Sequence, residues 1–469
     1  MFKWSGFYIV LIMFLLVVPA VAIPFAPYDP DAELQDLSEW PAIAENDAPN
    51  LNYLSEAGEW FDDHFAFRQQ TIALDSKIQA GIFGTSTTDQ VVVGSDGWLY
   101  YGGTMADYQR TIQMTNRQID VAIHNLDLVN EFVNERGAKF LVAVAPNKNS
   151  LYNEYMPYYE MKGDGLSNLQ RFQQAISHTG IPAVDLYEAF LSQPKSLYMK
   201  TDSHWNTEGA LFAYNNMLDE ISLDHNRYEN SEITLNTSYI GDIEAMLYPV
   251  WQTPEPSEIY EEAQQFVYTN DADSAEDSFI LTRSTDDSAN ENSLLMFRDS
   301  FGISLLPFFA SDFKEACFSR LVPYDLTQID ALNADVVIIE RAERHLSYFA
   351  TDAPLMPAPV RDNVFIDQLR SDDSISYFDN PSIEIVEDGD FYKISGLLDP
   401  TTSISSDSKI LLSVDANGSE SLYEAFLVDQ GSTAQSGDNE TGFVLYIDKN
   451  EFDPDDSIYK LILAFSADR

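Results

Sequence analysis

A chain of 469 residues with 45% hydrophobic and 22% charged residues has the composition of a globular protein and the length for one large domain plus a smaller one. Its formal net charge of −50 excludes nucleic acid as a partner and argues against anionic lipid headgroups, because both would be repelled. Such a surface suits an extracytoplasmic or salt-rich setting, and the single cysteine, Cys317 in the apolar run "EACFSRLV", excludes an intrachain disulfide and reads as a buried, inert thiol.

The chain opens with "MFKWSGFYIVLIMFLLVVPAVAIPF", an uncharged run from Trp4 to Ile23 about long enough to cross a hydrocarbon core of ~30 Å as a helix. Ala20-Val21-Ala22 also offers a small-x-small pattern for a signal peptidase. Residues 1–24 are therefore expected to be a single-pass membrane anchor or a cleaved signal peptide, with the remainder exported. Residues 25–50, rich in proline and acid, predict an extended linker.

From residue 51 the pattern becomes ordered. "LNYLSEAGEWFDDHFAFRQQTIALDSKIQAGIFG" spaces apolar residues at helical intervals, and "DQVVVGSDGWLYYGG" predicts a hairpin around a Ser-Asp-Gly turn. "NRQIDVAIHNLDLVNEFVNERG" puts Ile119, Ile123, Leu126, Val129 and Phe132 on one helical face and stops at Gly137. The runs "AKFLVAVAP", "IPAVDL", "SLLMFRDSF", "ACFSRLV" and "ADVVIIERA" show little polar alternation, the pattern of parallel strands buried on both faces. Helical segments such as "LSNLQRFQQAISHTG", "TEGALFAYNNMLDEI" and "DLTQIDAL" separate several of them. The expected fold over 51–375 is an α/β three-layer sandwich with a mostly parallel sheet of about five strands. From 380 to 469 the apolar and polar residues alternate between Gly, Asp, Ser and Asn turns, which predicts a small antiparallel β-rich accessory domain. Its acidic loops, "DPDD" and "DGD", lack a regular ligand spacing and read as solvated.

A hydroxyl nucleophile needs a base, a group that orients the base, and donors for the oxyanion that forms. Ser300 in "RDSFG" follows a buried strand, the position at which open α/β sheets hold their sites, and its N–H lies near a helix start. Pro307 argues that this helix begins only near Ile303 or later. Asp202, two residues before His204 in "TDSHWN", fits a carboxylate that binds one imidazole nitrogen and leaves the other for Ser300. On the residues alone this competes with an N-capping Asp or Ser and a structural histidine ahead of "TEGALFAYNNML".

"TDSHWN", followed about a hundred residues later by "FRDSFG", resembles the exported SGNH-hydrolase-like proteins of the DHHW type, relatives of the alginate O-acetylation proteins. "VVVGSDGWLYY", "RGAKFLVAVAPNKNSLYNEYMP" and "ADVVIIERAERHL" fit the same pattern, which spans roughly residues 50 to 350 and leaves the C-terminal β domain uncovered. The resemblance implies Ser300 as nucleophile, His204 as general base and Asp202 as its orienter. Two departures stand out: Ser203 where the family name implies histidine, and Arg298 where the wider superfamily usually has glycine.

Asn147 and Lys148, after a predicted strand end, are candidates for oxyanion or substrate binding, and Arg298, Trp205 and Arg344 for substrate binding. Arg298 either crowds the oxyanion pocket or binds an anionic sugar. Trp98, Tyr100 and Trp205 offer stacking faces but fit buried packing better. His64, His124, His178, His225 and His345 have no spaced partner, so no metal is expected, and no cofactor either. The leading expectation is an extracytoplasmic serine-dependent O-acetyltransferase or acetylesterase acting on a cell-surface or secreted polysaccharide. The resemblance further implies a membrane-bound protein that supplies acetyl groups. The alternatives are a non-catalytic polysaccharide-binding or assembly protein and a secreted lipase or simple esterase.

Overall fold

The computed structural model describes residues 2–23, 38–45 and 48–362, and toward the C-terminus 375–378, 383–397, 408–416, 419–429, 441–452, 454 and 458–465. The apolar N-terminal run is helical over Phe2–Ala22, with the side chains from Phe7 to Phe14 exposed. Among the described residues no helix is long and apolar enough to cross a membrane; several side chains of this first helix are not among them. Much of the linker expected over 25–50 also lies outside the described residues. Of the rest, Ala44–Glu45 pairs antiparallel with Ala48–Pro49, and Ser38 donates from its N–H to Asp63 at 2.9 Å.

The centre is a seven-stranded sheet in the order Ala183–Val184, Lys139–Ala145, Val336–Ala342, Asn290–Phe297, Phe313–Ser319, Phe279–Ser284, Phe266–Tyr268. The first five run parallel; Phe279–Ser284 pairs antiparallel with Phe313–Ser319, and Phe266–Tyr268 antiparallel with Phe279–Ser284. These five are the runs of continuous apolar residues, and Val336–Ala342 is buried at every position, as a strand covered on both faces must be. Helices Asn116–Glu135, Asn168–Ile176 and Tyr348–Thr351 form one group and Thr207–Glu220 with Gly302–Asp312 another, giving a three-layer sandwich. Thr115 and Gln118 close a capping box at the start of the first of these helices.

The helix after Ser300 starts earlier than Pro307 alone would allow: it spans Gly302–Asp312 with the proline inside. A mid-helix proline costs roughly 3 kcal/mol. Leu305, Leu306, Phe308 and Phe309 are all buried on this helix, and each contributes about 1.5–3 kcal/mol on burial. The packing outweighs the lost hydrogen bond.

The C-terminal part forms two antiparallel sheets, one ordered Val360–Arg361, Ser419–Glu424, Ser408–Ala416, Ile458–Phe465, Ile375–Phe378 and the other Ile383–Asp388, Phe391–Leu397, Thr441–Asp448, Phe426–Asp429. It docks on the helix Asn116–Glu135. The Asn125 side chain donates to the carbonyls of Phe349 at 3.0 Å and Leu427 at 2.9 Å and accepts from the Leu427 N–H at 3.0 Å. Buried Glu424 receives Arg361 at 2.6 Å and Lys409 at 2.9 Å, and Arg361 also binds Glu131 on the docking helix.

Asn125→Ala would leave two carbonyls and one N–H of this joint unpaired, each at a cost of about 1–3 kcal/mol when buried. A loss of at least ~2 kcal/mol is expected, read as a lower Tm in thermal unfolding.

Candidate active site

Three adjacent parallel strands deliver their carboxyl ends to one place: Lys139–Ala145 leads to Asn147, Val336–Ala342 to Glu343 and Arg344, and Asn290–Phe297 to Ser300. The Asp202–His204 turn meets them there. His204 Nε2 lies 2.8 Å from Ser300 Oγ, and His204 Nδ1 lies 2.7 Å from Asp202 Oδ1. The ionised carboxylate only accepts, so the proton sits on Nδ1 and Nε2 is left as the acceptor for the serine hydroxyl. The same Oδ1 accepts the His204 backbone N–H at 2.9 Å, which locks the turn. Arg344 Nη2 stands 3.4 Å from Ser300 Oγ, beside the Tyr101 and Phe301 rings.

Asp202 is buried, with 2% of its side chain exposed. Burial alone would raise its pKa, but the His204 bond and charge, the Tyr239 hydroxyl and the Asp242 N–H together hold it well below the usual carboxylate range. The last two donors were not legible in the sequence. Tyr239 Oη donates to Asp202 Oδ2 at 2.6 Å and the Asp242 N–H donates at 2.9 Å. Asp242 in turn accepts from the Ser203 hydroxyl at 2.5 Å and N–H at 2.7 Å, so Ser203, where the family name has histidine, is bound to a second carboxylate. Burial and the charge of Asp202 raise the Asp242 pKa. Glu255 closes the wrap by accepting the N–H groups of Lys200 at 2.9 Å and Thr201 at 2.8 Å. Gly241 is required by the close approach: a Cβ there would meet the Thr201 carbonyl oxygen at 2.3 Å. "SYIGDIEAML" carries a helix-start signal at Gly-Asp, but nothing in it points to a turn almost forty residues earlier.

Three of the residues expected to face substrate turn elsewhere. Lys148 Nζ donates to the carbonyls of Met199 at 3.1 Å, Lys200 at 3.0 Å and Asp202 at 2.6 Å, so its three donors hold the Asp202 turn; burial pushes its pKa down to about 7. The Arg298 guanidinium binds the carbonyls of Ala275 at 2.6 Å and Asp277 at 3.1 Å, passing Gly302, where a Cβ would strike its Cδ at 2.6 Å. Its guanidinium is buried and spent on backbone carbonyls. Trp205 is buried among Phe190, Tyr198 and Phe301 and donates to Ser304 Oγ at 2.8 Å. Trp98 and Tyr100 are likewise core, with Trp98 stacked on Tyr155 at 4.6 Å.

Asn147 follows the carboxyl end of the strand Lys139–Ala145 and is buried. Its N–H donates to Glu343 Oε2 at 2.8 Å, while both side-chain amide atoms are buried without a hydrogen-bond partner among the described residues. A buried amide left unpaired costs about 1–3 kcal/mol, which marks it as a group awaiting an acceptor or donor. Burial pushes the Glu343 carboxyl up to about 7. Behind Ser300, Asp299 accepts from the N–H groups of Phe301 at 2.9 Å and Ala342 at 2.7 Å and pairs with His345 at 3.3 Å. Burial opposes its ionisation, yet the His345 bond, the Arg344 charge and these two N–H groups bring it down to about 2.

Asp202, His204 and Asp242 offer ligand atoms within 4.8 Å of one another. Their hydrogen bonds to each other, to Ser203 and to Tyr239 already use those atoms, so the set fits an imidazole between acceptors better than a cation site.

Residues 91–287 match the family described as the SGNH hydrolase-like domain of the acetyltransferase AlgX, a span that includes Asp202 and His204 and stops before Ser300. The chain is 25% identical over 182 residues to a probable alginate O-acetylase AlgJ of Pseudomonas syringae pv. tomato, covering 38% of this chain and 44% of that protein. It is 30% identical over 123 residues to the probable alginate O-acetylase AlgJ of Pseudomonas aeruginosa, covering 26% of this chain and 30% of the relative. The chain thus spans less than half the length of these curated relatives. Among solved structures, a DHHW family protein from Eubacterium siraeum aligns with a TM-score of 0.43 at 16% identity, covering 56% of this chain and 95% of that one. The O-acetyltransferase domain of Pseudomonas putida AlgJ aligns with a TM-score of 0.36 at 19% identity, covering 59% and 97%. The family match over residues 91–287 agrees with the resemblance drawn from the motifs.

Tyr239→Phe removes one of the two donors on Asp202 Oδ2. A hydrogen bond to a charged group contributes about 1.5–3 kcal/mol, so kcat/KM toward an activated acetyl ester should fall about 10- to 100-fold with the fold intact. Stability should follow the depressed Asp299. Its contribution is complete above the ordinary carboxylate pKa of about 4 and is lost as pH falls through the folded value of about 2. Asp299→Asn should flatten that limb in pH-dependent denaturant melts.

Proposed function

We propose that the chain is an extracytoplasmic serine-dependent O-acetyltransferase acting on a polysaccharide, with Ser300, His204 and Asp202 as its catalytic residues. The observation that carries this reading is the relay itself, 2.7 Å from Asp202 to His204 and 2.8 Å from His204 to Ser300, at the carboxyl ends of parallel strands. The AlgX-type family match and the alginate O-acetylase relatives support acyl transfer to a polysaccharide.

In the first half-reaction His204 Nε2 takes the Ser300 proton as Oγ attacks the acetyl carbonyl. The donor's C–O or C–S bond breaks, and His204 returns the proton to the departing group, leaving acetyl-Ser300. In the second, His204 takes the proton of a sugar hydroxyl, whose oxygen attacks the acetyl-serine. The sugar ester forms and Ser300 regains its proton. The oxyanion of each tetrahedral intermediate is stabilised by the Asn147 amide, the Ser300 N–H and the Arg344 guanidinium. Water entering in place of the sugar would give hydrolysis, so exclusion of water sets the balance of transfer over esterase activity.

The apolar helix Phe2–Ala22 is read as the membrane anchor of an exported protein, and a membrane-bound protein as the source of acetyl groups. The acidic surface, with a net charge of −50, accords with that location.

Separate incubations, one with a fluorophosphonate probe and one with an activated acetyl ester and an acceptor oligosaccharide, test the reading. The expected result is a probe- and acetyl-modified Ser300 and acetylated oligosaccharide, with Ser300→Ala losing both by at least ~10³-fold. Equal labelling of the Ser300→Ala variant, or no labelling of the native chain, would overturn it. Arg344→Ala should slow acetyl-serine formation by about 10²-fold with the probe site still intact in thermal melts.

A further inference from the structure

The strand Val336–Ala342 lies between Lys139–Ala145 and Asn290–Phe297 in the sheet, and its carboxyl end binds the loop after each neighbour through a buried carboxyl. Glu340 Oε2 accepts the Asp299 N–H at 3.1 Å, one residue before Ser300. Glu343, just past the strand, accepts the Asn147 N–H with Oε2 at 2.8 Å. The next residue is Arg344, whose Nη2 stands 3.4 Å from Ser300 Oγ. Tyr198 ties the two loops together: its hydroxyl donates to the Pro146 carbonyl at 2.6 Å, and its ring lies 6.2 Å from that of Phe301. Glu343 therefore sits between two groups assigned to the oxyanion, yet no step of the reaction above uses it.

The unpaired atoms at this place complement one another. Glu343 Oε1 has no hydrogen-bond partner among the described residues, and neither has Asn147 Oδ1 or Nδ2. Asn147 stands at the N-cap of the short helix Lys148–Leu151, but its side chain makes no capping bond, so it does not serve the role asparagine usually has there. Only Cα, Cβ and Cγ separate its Oδ1 from the N–H that Glu343 already holds. Rotation within the side chain can thus set one amide atom against Glu343 Oε1, and a proton decides which. A neutral carboxyl has an O–H to donate and takes Oδ1; a carboxylate only accepts and takes Nδ2. An oxyanion needs the first arrangement, because that one leaves the donor Nδ2 free to face it.

We propose that Glu343 is a positioning residue for acyl transfer: as the neutral acid it binds Asn147 Oδ1 and holds Nδ2 toward the oxyanion at Ser300, and as the carboxylate it turns the amide round. This rests on the reading of Ser300 as the nucleophile and of the Asn147 amide as an oxyanion donor. Burial pushes the carboxyl up to about 7, so the productive form is present below that pH and is lost above it. The groups that face Glu343 are Asp107, Arg110, Lys162, Tyr187 and Tyr198, with the Ser150 hydroxyl from the Asn147 loop. Asp107 opposes its ionisation, while the Asn147 N–H, Ser150 and Arg110 favour it.

The test follows acetyl-serine formation from para-nitrophenyl acetate by the full chain as a function of pH. For the native chain kcat/KM is expected to rise as His204 becomes a neutral base and to fall as Glu343 ionises. Glu343→Gln accepts the Asn147 N–H and donates to Oδ1 at every pH, so it should keep the optimum rate within a few-fold and lose the falling limb. Asn147→Ala should lose about 10²-fold at the optimum, show no falling limb, and make Glu343→Gln silent when the two are combined. Thermal melts check that each variant is folded. A native profile with no falling limb, a limb that survives Glu343→Gln or Asn147→Ala, or a Glu343→Gln effect of equal size with and without Asn147 would overturn the proposal. Fluorophosphonate labelling of Ser300 in the native chain separates the two readings. Labelling with an unmoved limb overturns the positioning role alone, and no labelling overturns the serine reading together with it.

Discussion

Everything at the carboxyl end of the parallel strands depends on one imidazole held from both sides. His204 is fixed at Nδ1 by Asp202 at 2.7 Å and reaches Ser300 with Nε2 at 2.8 Å. A ring rotated away from either partner would lose both the tautomer and the line of proton transfer. The fold holds the two partners independently. Ser300 follows a central strand with parallel neighbours on both sides. Asp202 sits in a turn whose own carbonyls are held by the three donors of Lys148 and whose carboxylate is held by Tyr239 and the Asp242 N–H.

The acid load of the chain reaches into this site. Asp202, Asp242, Asp299, Glu340 and Glu343 all gather around the serine, and most are deeply buried. What separates them is the number of donors each receives. Asp202 and Asp299 accept N–H groups and an imidazole and stay ionised, below the usual range. Glu340 and Glu343, with an oxygen each left without a partner, are pushed upward by burial. Hydrogen bonding thus sorts like groups into an ionised pair that orients the imidazoles and a set that stays protonated more readily. This arrangement allows several carboxylates to share a small volume without their mutual repulsion opening it.

The accessory sheets and the apolar helix Arg68–Ile78 are joined to this core on different terms. The β domain is bound through Asn125 and the buried Glu424, contacts that fix its orientation on the helix Asn116–Glu135. The helix Arg68–Ile78 instead buries small and polar residues and leaves its apolar side outward.

The sequence by itself determined the five parallel strands, and the relay was legible only with the family resemblance its motifs carry. Runs such as "FLVAVA" and "VVIIE" read as doubly covered strands because continuous apolar residues fit no half-exposed element, and Ser300 followed from its place after one of them. Asp202 and His204 were legible because they are two residues apart, and the short spacing fixes which atoms meet. What only the tertiary structure decided lies at longer range. Tyr239 and Asp242 reach Asp202 from almost forty residues away, and Lys148 and Arg298 spend their donors on carbonyls of other loops. A side chain's type gives its capacity to donate or accept, and only the packed fold says which partner lies within reach, so the Asp202–His204 pair was written locally, while its meeting with Ser300 and its support were not.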